Sequence, residues 1–133
     1  MADAVRETLL KVHRERNGCL FTLTVAIEPD RGDQAVTFTE FYDYGPLGDD
    51  PGREYGYSVH APYAALPLLA DAYAPTSSGS PEHRLISAFR LLIEQGQLGD
   101  GQPLQANQQS VLTWFQQAGV AATTSTWSWI NSD

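Results

Sequence analysis

The sequence predicts an α+β domain, an antiparallel sheet of about four strands packed on one face by three to four helices. Three observations carry that expectation. Two segments, 20–28 and 35–44, alternate apolar and polar residues with the period of a half-buried strand. The expected order is helix, three strands, three helices, strand. Such runs of strands and then helices argue against a doubly wound sheet with its strict alternation. A chain of 133 residues, 42% apolar and 18% charged, falls within the size and composition of one globular domain spanning 1–133.

In order, Ala2, Val5, Leu9 and Val12 recur at spacings of three and four, predicting an amphipathic helix over 2–16. Asn17-Gly18 offers it a left-handed stop. Phe21, Leu23, Val25 and Ile27 then face one way and Thr22, Thr24, Ala26 and Glu28 the other, predicting a strand. A turn at 29–33 contains Arg31-Gly32-Asp33 and reads as turn chemistry, since Pro and Gly sit where a turn needs them. The strand at 35–44 sets Val36, Phe38, Tyr42 and Tyr44 on one face with Glu40 among them. A carboxylate in that company needs a partner, for which Arg84 or Arg90 is the candidate. Residues 55–60 form a third strand, in which Gly56 marks a bulge or a close backbone approach.

Pro67 places the start of the next helix near Leu66, because proline is tolerated in a first turn and disruptive beyond it. A linker at 75–79 separates it from a helix over 81–95, capped by Ser80, opened by Pro81 and closed by Gly96. A further helix spans roughly 105–118, stopped by Gly119. The segment 120–130, rich in Thr, Ser and Trp, predicts a last strand with Trp127 and Trp129 on one face.

Charge is the strongest compositional signal. The formal net charge is −8, and residues 28–54 hold eight acids against Arg31 and Arg53. A field of this sign opposes nucleic acid and anionic membranes and attracts basic partners. Cys19 is the single cysteine, so no internal disulfide exists, and an inert buried thiol is expected. No apolar run reaches a membrane span, so a cytoplasmic setting is expected. Lys11 beside seven arginines suits a GC-rich bacterial genome.

Motifs for chemistry are sparse. His13, His60 and His83 share no ligand spacing, and the acids of 43–54 do not match a calcium loop, so neither metal nor other cofactor is expected. There is no Gly-x-Ser-x-Gly elbow, and the glycine loops lack a basic group for phosphate. Recognition is left. Asp43, Asp49, Asp50 and Glu54, with Tyr44, Tyr55 and Tyr57, form the expected contact set, since carboxylates steer and tyrosines grip. In size, charge and architecture the chain resembles the immunity proteins with which bacteria neutralise rival toxins, although no residue motif carries that resemblance. It implies a non-catalytic antagonist whose protein partner is a basic, nuclease-like toxin domain. The alternatives are a small enzyme using carboxylate or His60 chemistry on a small ligand, and a regulatory adaptor.

Overall fold

The structure is a computed structural model that describes residues 4–14, 18–44, 53–73 and 79–130. Five strands, β1 (Val5–Arg14), β2 (Cys19–Ile27), β3 (Val36–Asp43), β4 (Arg53–Ala61) and β5 (Thr123–Ile130), form one antiparallel sheet in sequence order. Three helices, α1 (Leu66–Tyr73), α2 (Pro81–Glu94) and α3 (Ala106–Gln117), are all inserted between β4 and β5. The expected α+β class holds, with one more strand than expected.

That extra strand is the predicted first helix. Val5, Glu7 and Leu9 point toward the helices, the register against β2 then shifts between Thr8 and Leu10, and Leu10, Val12 and Arg14 take over the inward role. The β-bulge therefore switches the inward phase from odd to even positions. Its apolar members fall at 5, 9, 10 and 12, a spacing that imitates a helix.

The remaining elements follow their local chemistry. Pro67 lies in the first turn of α1 after a short 3-10 turn at Tyr63–Ala65. Ser80 caps α2 by accepting the His83 N–H at 3.2 Å, and Pro81 occupies the first helical position. Gly96, at φ 76°, ends α2 in a Schellman turn with Gly96 N–H on Ile93 O and Gln97 N–H on Leu92 O.

The core lies between the inward face of the sheet and the helices. Phe21, Leu23, Val25, Val36, Phe38 and Val59 meet Leu66, Leu69, Leu85, Phe89 and Phe115, all buried. Phe38 stacks on Phe89 at 5.3 Å, and Phe89 meets Trp114 edge-on at 4.8 Å. Cys19 is buried here, and burial pushes its thiol pKa up, as an inert cysteine requires. Among the described residues, no helix is long and apolar enough to cross a membrane.

Candidate functional site

With the helices on one side, no described helix covers the other face of the sheet, although the turn carrying Arg31 and Gln34 borders one end of it and His60 and Ser58 there are buried. Register assigns its residues in four rows across the strands. Arg6, Ala26, Thr37, His60 and Thr123 form the first. Thr8, Thr24, Thr39, Ser58 and Ser125 form the second, a hydroxyl at every strand. Lys11, Thr22, Phe41, Gly56 and Trp127 form the third, and the fourth brings Asp43 opposite Glu54 at the end leading into segment 45–52. A cavity of about 470 Å³ lies over the first three rows, bounded by Arg6 and Arg31 at one end and Phe41 and Trp127 at the other.

Trp127 dominates the third row. It is 45% exposed, and its ring lies 5.6 Å from that of Phe41. Gly56 makes this possible: a Cβ there would stand 2.2 Å from the indole Nε1. The glycine thus marks the close approach expected of it, of an indole ring over the β4 backbone.

His60 organises the first row. Thr37 Oγ1 donates to Gln34 O at 3.1 Å, so its oxygen accepts the Nδ1–H of His60 at 2.9 Å. The proton on Nδ1 leaves Nε2 to accept from the Ser125 hydroxyl at 2.7 Å. Burial, and secondarily the Arg31 guanidinium, lowers the His60 pKa, so the ring is neutral at neutral pH. In the next row Thr39 and Ser58 share a hydrogen bond at 2.9 Å.

Glu40 lies on the opposite, helix-covered face and is fully buried. Its expected arginine partners are engaged elsewhere, Arg84 with Asp71 at 2.5 Å and Arg90 with Glu7 at 3.4 Å. Instead Glu40 accepts from Tyr42 Oη at 2.5 Å, Asn107 Nδ2 at 3.0 Å and the Gln108 backbone N–H at 3.1 Å. Gln108 is the third residue of α3, whose N-cap Gln105 makes no side-chain cap. A carboxylate from β3 thus caps α3 in place of a local side chain, where the helix dipole favours negative charge. Burial and this bond push the Tyr42 pKa well above the usual phenol range, keeping Tyr42 a donor.

The expected contact set divides between the two faces. Asp43 and Glu54 lie on the uncovered face. Tyr44, Tyr55 and Tyr57 lie on the helix side, packed against the core, with Tyr44 and Tyr55 edge to face at 6.0 Å and Tyr57 against Tyr42 at 6.1 Å. They are half-buried rings on the side of the sheet opposite Asp43 and Glu54. Asp49 and Asp50 lie outside the described residues, as does the side chain of Trp129. The aromatics that do share the acids' face are Phe41 and Trp127. Their signal in the sequence was the phase of alternation, since Phe41 and Asp43 are both odd-numbered on β3.

Among the described residues no three His, Cys, Asp or Glu side chains converge in a way that could hold a metal ion. Set against protein families, curated proteins and solved structures, the chain matches none of them.

Proposed function

We propose that this protein is a bacterial immunity protein, a non-catalytic antagonist that binds a basic toxin domain with the uncovered face of its sheet. The observation that carries the reading is the row of Phe41 and exposed Trp127 bordering Asp43 and Glu54 on that face. An aromatic anchor beside carboxylates is the chemistry of a tight interface to a cationic surface. The ring supplies desolvated contact area, and the acids raise the association rate. The chain's −8 charge extends the steering field beyond contact range. A cytoplasmic site of action fits such an antagonist. The test is co-expression with the product of the neighbouring open reading frame. Growth arrest by that product alone, relieved by the wild-type chain and not by Trp127→Asp, supports the proposal; equal growth in all three cases removes it.

A second reading rests on one separate observation, the 2.7 Å approach of Ser125 Oγ to His60 Nε2 with Nδ1 held by Thr37. A neutral histidine accepting from a serine hydroxyl is the pairing of a nucleophile with its base. Glu40 itself is buried among structural donors and takes no part in this pairing. Labelling of Ser125 by a fluorophosphonate, abolished in His60→Gln, would favour the hydrolase; an unlabelled wild-type protein leaves Ser125 and His60 as cross-strand packing.

A further inference from the structure

The two ends of the cavity differ in chemistry, and the difference defines a ligand. At one end stand Arg6 and Arg31, with Glu28 and neutral His60 beside them. Arg31 bonds Glu28 Oε2 at 3.2 Å, whereas the Arg6 guanidinium makes no ion pair or hydrogen bond among the described residues. The charged lining therefore sums to +1, within a chain of −8. At the other end lie the rings of Phe41 and Trp127. Between them run Thr22, Thr24, Thr37 and Thr39, the hydroxyls of Thr37 and Thr39 being engaged with His60 and Ser58. From the Thr37–His60 row to the Phe41–Trp127 row is four residues along β3, roughly 13 Å at about 3.3 Å per residue. A volume of about 470 Å³ falls within the range of small-ligand sites.

We infer that this cavity binds a small amphipathic monocarboxylate, an unbranched or aryl acid with an apolar body about 13 Å long. The carboxylate accepts from Arg6 and the unengaged donors of Arg31, and the tail lies over the threonine methyls to end against Trp127. A single negative charge matches the lining, whereas a dianion such as a phosphate monoester meets Glu28 with too little compensation. The carboxylate end of this site lies away from Asp43 and Glu54, but its apolar end is the Phe41–Trp127 pair that anchors the proposed toxin contact, so ligand and toxin would compete for those rings.

Decanoate is the probe, titrated calorimetrically into the purified chain while the indole N–H resonance of Trp127 is followed by NMR. One decanoate per chain is expected, with the indole resonance shifting at saturation. Decanol, which keeps the tail, and butyrate, which keeps the head, should each bind at least tenfold more weakly. Arg6→Gln, on an exposed position of the edge strand, should lower decanoate affinity roughly tenfold. Glu28→Gln should raise it several-fold by removing the opposing charge and releasing Arg31. Both variants are at the surface, and their melting temperatures verify the fold. Equal binding of decanoate and decanol, an unmoved Trp127 resonance, or affinities unchanged by both variants would overturn the inference. A peptide ending in Ala-Ala-Leu that binds more tightly than decanoate would also overturn it, reassigning the cavity to a polypeptide C-terminus.

Discussion

Replacing Glu40 by glutamine tests whether one buried carboxylate couples the sheet to α3. In the wild type its two oxygens accept from three donors, Tyr42 Oη, Asn107 Nδ2 and the Gln108 N–H, in a fully buried site. Oε2 takes two of them, and Oε1 takes the Gln108 N–H. Glutamine preserves shape but turns one acceptor into a donor. If its oxygen stays on Tyr42 and Asn107, its amide opposes the Gln108 N–H; if it flips, the amide opposes the other two. Either way at least one charge-assisted bond is lost, worth about 1.5–3 kcal/mol, and a buried donor is left unmet at about 1–3 kcal/mol. Relief from burying a charge offsets part of this. A net loss of about 3 kcal/mol follows, or roughly 10 °C in melting temperature for a domain of this size. Urea unfolding followed by circular dichroism measures the loss, and hydrogen exchange locates it, since Gln108 N–H protection should fall with the first turn of α3. A Glu40→Gln protein that melts within about 2 °C of wild type, with Gln108 still protected, refutes the capping role.

Other consequences can be checked alongside it. Gly56→Ala brings a Cβ against the exposed Trp127 ring and not against backbone. It should change stability by less than about 1 kcal/mol while displacing the indole, so the Trp127 resonance, and with it the proposed toxin contact, changes in a protein that still melts normally. Because His60 has a lowered pKa when folded, the unfolded chain takes up its proton first. Its contribution to stability is therefore complete above an ordinary histidine value of about 6.5 and is lost as pH falls through the lower, folded value. Melting curves across that window should show a slope that His60→Gln reduces. A variant with the same slope as wild type assigns the effect to other groups.

The helices and inner strands were legible because their signals are local. The Ser80-Pro81 start and Gly96 stop of α2 stand within its own sequence, and β2 alternates without interruption. The first strand was not legible. A bulge at Leu9 changes the phase of alternation midway, and only pairing with β2 reveals it. Glu40 was recognised as a carboxylate in need of a partner, but that partner is a helix end 68 positions further along the chain. Backbone donors of a distant helix leave no residue type to read. The division of acids and tyrosines had the same origin. Asp43 and Tyr44 are adjacent in sequence and so point to opposite faces of a strand, which separates groups that composition places together. Which face lacks helices depends on packing, and that decided the site.

The proposal that the uncovered face receives a basic partner is tested most directly by association kinetics. The rate at which the proposed toxin partner, sought as the product of the neighbouring open reading frame, binds the wild-type chain, compared with Asp43→Lys/Glu54→Lys across a salt series, isolates the acids from the rings. Reversing two charges at the edge of the interface should slow association at least tenfold in low salt and flatten its dependence on ionic strength, leaving dissociation nearly unchanged. Identical association rates and identical salt slopes for the two proteins would contradict the assignment of this face.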